Sequence, residues 1–72
     1  MNEMVVVEID KIVEVITEKA VGIGVWGDGK LVWFPKSQIP ELQHNIAVGD
    51  TIENLEIPKW LADSIGLDYE ED

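Results

Sequence analysis

Few residues in this chain have the type and spacing that chemistry needs. Gly22-Ile23-Gly24-Val25-Trp26-Gly27 spells G-x-G-x-x-G after a run of apolar residues. Such glycines hold a dinucleotide when they open a helix whose first amides face the pyrophosphate. Here Asp28-Gly29-Lys30 and another apolar run follow, so the likeness is one of spelling. His44 is the only histidine and lies between Gln43 and Asn45; a single imidazole in a polar loop indicates neither a triad nor a metal cluster. Ser37, Ser64, Thr17 and Thr51 fall at expected turn or helix positions that suffice to explain them, and a nucleophile among them would still need an identifiable base. Asp68, Glu70, Glu71 and Asp72 could attract calcium or magnesium loosely, but they lack the spacing of an EF-hand loop. The sequence therefore predicts a non-enzymatic protein with no catalytic residue, no metal site and no cofactor.

The aromatic residues are more informative. Trp26 and Trp33 flank the stretch Gly27-Asp28-Gly29-Lys30, and Trp33 leads into Phe34-Pro35-Lys36-Ser37-Gln38. Two indoles on one outer face, near Lys30 and Lys36, would resemble the platforms on which single-stranded nucleic acids stack their bases. The formal charge is −10, from fifteen acidic residues against five lysines and no arginine. That balance opposes duplex nucleic acid and anionic lipid, since phosphate binding draws its affinity from neutralising cations and counterion release. A protein partner can use the same tryptophans as anchors without positive charge. The expected partner surface is thus Trp26, Trp33, Lys36, Ser37 and Gln38, facing an unidentified protein. Two alternatives stay open: a single-strand binder stacking bases on the indoles, and an acidic mimic of nucleic acid that occupies a basic groove of a host enzyme.

The elements that must position these residues follow from periodicity. Between Met4 and Ile16 the odd positions Val5, Val7, Ile9, Val13 and Val15 are apolar, with Glu8, Asp10 and Glu14 among the others. Period two marks a half-buried strand, and the break at Lys11 predicts a bulge or bend near Asp10-Lys11. Thr17-Glu18-Lys19 reads as a turn and Ala20 to Trp26 as a second strand. Asp28-Gly29 is a strong hairpin signal, because both central residues of a type I′ turn take positive φ. A two-residue loop there sets Gly24 against Trp33 and Ile23 against Phe34. It directs Phe34 inward and Trp33 outward, over a glycine whose missing side chain it replaces. The competing three-residue loop pairs Ile23 with Trp33 and reverses the two aromatics.

Pro35 lacks a ladder donor and ends the third strand. Ser37 is expected to cap a helical turn near Pro40-Glu41-Leu42. Thr51 to Ile57 reads as a fourth strand, with a parity break between Ile52 and Leu55 that suggests another bulge. Pro58 suits a helix start, Leu61 and Ile65 share a helix face, and Gly66 fits the left-handed stop. These elements predict a mostly β fold: a small bent antiparallel sheet or an SH3-like or OB-like barrel, ββββ, with a short C-terminal helix. One small barrel-like domain is expected over residues 1–67, followed by a frayed acidic tail at 68–72.

Cysteine is absent, so no disulfide or thiolate metal site staples the domain. No apolar run approaches the roughly 20 residues of a membrane span, and no basic region precedes the first one. A cytoplasmic location without membrane contact is the expectation.

The segments "TEKAVGIGV", "WFPKSQI" and "IPKWLADSIGL" resemble a group of small uncharacterised proteins encoded by bacteriophages and prophages. In that group a Thr-Glu-Lys-Ala strand start, an aromatic-apolar-Pro-Lys-Ser-Gln segment and a Trp-Leu-Ala helix recur in order. The likeness covers Thr17 to Leu67. It implies a phage or prophage origin and a place among replication or recombination accessory proteins, with a nucleic-acid-processing enzyme as the kind of partner. Its signature positions are Lys19, Trp33, Pro35, Lys36, Ser37, Gln38 and Trp60. An architectural role is also open for them: strand exit and helix cap at 36–38, and Trp60 docking the last helix.

Overall fold

A computed structural model describes residues 3–70. Five strands form one antiparallel sheet: β1 (Met4–Ile16), β2 (Ala20–Ile23), β3 (Val32–Pro35), β4 (Thr51–Pro58) and β5 (Tyr69–Glu70). The path runs β3-β2-β1-β4, and β5 adds to β1. Among the described residues a single α-helix, α1 (Lys59–Ile65), follows β4 directly. Among the described residues β3 and β4 do not pair, so the sheet bends without closing. Of the two expected forms, the bent antiparallel sheet with a short terminal helix is the one present.

The long first strand creates the bend. Four residues of β1, from Glu8 to Lys11, oppose three of β4, from Asn54 to Ile52. The extra residue lies at the expected Asp10-Lys11 position, and Asp10 adopts φ 52°, in the left-handed region. A second extra residue, Glu14, falls between the pairs Val13–Ile23 and Val15–Gly22. Each bulge turns the strand and raises its twist, so the first half of β1 pairs with β4 and the second half with β2. The bulge expected within β4 is carried instead by its partner: the parity break at Ile52 answers the insertion at Asp10.

The core is wholly apolar, and no polar or charged residue among those described is buried. Val5, Val7 and Ile9 from β1, Leu55 and Ile57 from β4, Val21 and Ile23 from β2, and Phe34 from β3 meet in it. Leu42 and Ile39, beside two short 3-10 turns at Lys36–Gln38 and Pro40–Gln43, cover one side. Helix α1 contributes Leu61 and Ala62 and stops at Gly66, φ 89°, whose amide donates to the Ala62 carbonyl at 2.9 Å. Trp60, expected to dock that helix, is half exposed; Leu61 and Ala62 hold α1 down instead.

Three further expectations are corrected. The hairpin is not a two-residue loop, nor the three-residue alternative. Val21 pairs Phe34, Gly22 pairs Trp33 and Ile23 pairs Val32, leaving residues 24–31 as the connection. Positive φ occurs at Gly27 and Gly29 but not at Asp28, whereas a type I′ turn centred on Asp28-Gly29 needs it at both. Asp28 instead accepts a hydrogen bond from the Lys30 amide through Oδ1 at 3.0 Å, an Asx turn. Ser37 does not cap the Pro40–Gln43 turn, which has no side-chain cap. Finally, residues 69 and 70 of the expected tail are paired: Val7 with Tyr69 and Val6 with Glu70. Leu67 is buried, and the Tyr69 hydroxyl donates to Asp63 Oδ1 at 2.8 Å. Glu71 and Asp72 lie outside the described residues.

Candidate binding surface

Trp33 points away from the core and is 47% exposed, while its neighbour Phe34 is fully buried. The register differs from expectation by two residues, and an even shift leaves every side chain on its expected face. The glycine beneath the indole is Gly22. A Cβ placed there would stand 3.1 Å from Trp33 Cζ3 and 3.2 Å from Leu31 Cδ1. The indole and Leu31 therefore fill the space of the absent side chain, the cross-strand packing that compensates a strand glycine.

Across the sheet from Trp33 and Gly22 lies Val15, paired with Gly22 and on the same face. It was expected in the core with the other odd positions; the inserted Glu14 inverts parity, so Val15 is exposed and Ile16 turns to the core. The outer face thus carries an apolar row of Val15 and Trp33, with Leu31 against Gly22. The signal for this row was present in the apolar pair Val15-Ile16, but one of the two had to be outside, and only the second bulge decides which.

Lys36, Ser37 and Gln38 form the 3-10 turn that leaves β3. The Lys36 amide donates to the Lys19 carbonyl at 2.9 Å, and its carbonyl accepts from Gln43 Nε2 at 2.8 Å. The segment is thereby fixed at the end of β3 against Lys19 and Gln43, with Ser37 exposed. Thr17 closes the β1–β2 turn: its hydroxyl donates to the Ala20 carbonyl and accepts from the Ala20 amide, each at 3.0 Å.

Trp26 does not share this location. It lies in the 24–31 connection, half exposed, in the wall of a cleft of about 600 Å³ that Trp33 does not line. The other walls include Val6 and Glu8 of β1, Val25, Asn54 and Tyr69. The expected joint platform of Trp26 and Trp33 is therefore two sites, a face and a cleft. The cleft was missed in the sequence because it needs β5. Leu67 and Tyr69, two apart as in a strand, were its one signal.

His44 is exposed, and among the described residues no group of three or more histidine or acidic side chains is gathered to hold a metal. Among the described residues no helix is long and apolar enough to cross a membrane. No family model matches the chain, and no curated protein or solved structure is significantly similar to it.

Proposed function

We propose that the protein is a non-enzymatic interaction module that binds a protein partner through the outer face of β3 and β2, with Trp33 as the anchor and Lys36-Ser37-Gln38 at its rim. The observation that carries this reading is the half-exposed indole over Gly22, in one row with Val15. A large aromatic held by packing on one side, and open to solvent on the other, is the form binding hot spots take. The formal charge of −10 favours a basic partner. The resemblance to phage- and prophage-encoded proteins supports a cytoplasmic nucleic-acid-processing enzyme in that role.

The single-strand and nucleic-acid-mimic readings differ in what they recover. Bait protein immobilised in a bacterial lysate should retain a partner that Trp33→Ala and Val15→Asp both release, while Trp60→Ala retains it. Equal retention by all three variants refutes the docking face. Retention of labelled oligothymidylate at 150 mM salt, lost with Trp33→Ala, would replace a protein partner by a single strand. Displacement of the partner by DNA would point to mimicry.

A further inference from the structure

The cleft beside Trp26 has a definite origin in the sheet. On the edge of β1 opposite β4, β5 pairs with Val6 and Val7, and β2 pairs with Val13, Val15 and Ile16. Between those pairings, residues 8–12 have no strand beside them on that edge among the described residues. The cleft opens at this gap, bounded by Val25 and Trp26 just beyond β2 and by Asp68 and Tyr69 at β5. Its volume of about 600 Å³ is that of a small-ligand site, about 300–1,000 Å³.

Its chemistry is one-sided. Trp26 and Tyr69 supply aromatic surface, Glu8 and Asp68 supply carboxylates, Asn54 supplies a neutral amide, and no lysine lines it. A shallower depression continues from Glu8 and Asn54 to Asp10 and Glu53. Negative charge therefore extends from the cleft along the surface. Lys59 Nζ stands 6.0 Å from the Tyr69 ring centroid but does not line the cleft. A phosphate or a nucleobase with its backbone would meet carboxylates here. A planar cation would meet an indole face and two acceptors, the combination that guanidinium groups satisfy by stacking and by forked hydrogen bonds.

We propose that this cleft receives an arginine side chain of a partner protein, carried on an extended basic segment, with the guanidinium stacked on Trp26 and bonded by Glu8 and Asp68. The proposal goes beyond the Trp33 docking face and uses none of its residues, so either can fail alone.

The probe is a capped Gly-Gly-Arg-Gly-Gly peptide, compared with the same peptide carrying citrulline, which keeps the shape and loses the charge. Titrations of the full chain followed by ¹H–¹⁵N NMR should move the Trp26 indole N–H and the amides of residues 6–8 and 67–69. Citrulline should bind at least fivefold more weakly. Trp26→Ala should weaken binding roughly two- to fivefold, and Glu8→Gln with Asp68→Asn by a similar factor at low salt. Because the citrulline comparison leaves the protein unchanged, it holds even if a variant folds poorly. No shift with the arginine peptide, equal binding of citrulline, or shifts confined to other residues would overturn the proposal. Preferential binding of oligothymidylate at Trp26 would overturn it too, assigning the indole to bases.

Discussion

Replacing Trp33 and Phe34 by alanine, one at a time, measures which face of β3 each aromatic occupies. Phe34 is completely buried, and removing such a ring costs about 3–5 kcal/mol through lost transfer energy and the cavity left behind. Trp33 is 47% exposed, so about half of a surface on the order of 250 Å² leaves water on folding. At roughly 25 cal/mol/Å² that is about 3 kcal/mol as an upper bound, lowered to about 2 kcal/mol by burial already present in the unfolded chain. A domain of 72 residues has a total stability of about 4–11 kcal/mol. Trp33→Ala therefore remains folded, whereas Phe34→Ala approaches the limit. In urea, with a slope of about 1 kcal/mol per molar, the midpoints should fall by about 2 M and by at least 3 M. A loss for Trp33→Ala equal to or greater than that for Phe34→Ala would place the indole inside and refute both the register and the docking face.

The packing of Trp33 on Gly22 should appear as coupling. Gly22→Ala is expected to stabilise the Trp33→Ala background by about 0.5–1 kcal/mol through reduced chain entropy, but to gain less in the natural chain, where the new Cβ meets the indole at 3.1 Å; additive effects in a double-mutant cycle would contradict this. Asp10→Val should cost about 1–2 kcal/mol more than Asp10→Gly, because a β-branched residue must take the φ of 52° at the bulge; matching urea midpoints for the two variants would remove that account. Ending the chain after Asp68 should lower stability by about 2 kcal/mol, since it deletes β5 and the partly buried Tyr69 ring; unchanged thermal unfolding would show that β5 adds nothing.

The parts of the fold that were legible share one property: they depend on alternation within a single strand. Val5, Val7 and Ile9 announce β1, Lys11 announces its first bulge, and the Pro58–Gly66 pair brackets the helix. Features that depend on two strands at once were not legible. The loop length was misread because Asp28-Gly29 carries a local turn preference, while the register is set by Val21 and Ile23 meeting Phe34 and Val32 in the core, and by Gly22 admitting Trp33. The outward position of Trp33 was nevertheless recovered, since a slip of two residues conserves facing. Val15 was misplaced because Glu14 is an insertion visible only against β2. At the candidate sites, Lys36, Ser37 and Gln38 form the turn that leaves β3, the strand that carries Trp33. Trp26 went to a separate cleft because β5, made from two residues in an acidic run, has no alternation long enough to recognise.

The doubly bulged β1 also has a bearing on how the molecule is made. Its opening residues find their ladder in the last third of the chain, Met4 with Pro58 and Val7 with both Leu55 and Tyr69, whereas its closing residues are satisfied by Ala20–Ile23 just downstream. During synthesis the meander of β1, β2 and β3 can assemble early, but Val5, Val7 and Ile9 stay uncovered until Thr51–Pro58 has emerged. Such distant pairing slows folding and leaves a sticky nascent edge. The same kink that lets one strand serve two halves of the sheet thus obliges the ribosome to deliver the carboxyl-terminal end before the amino-terminal end can rest.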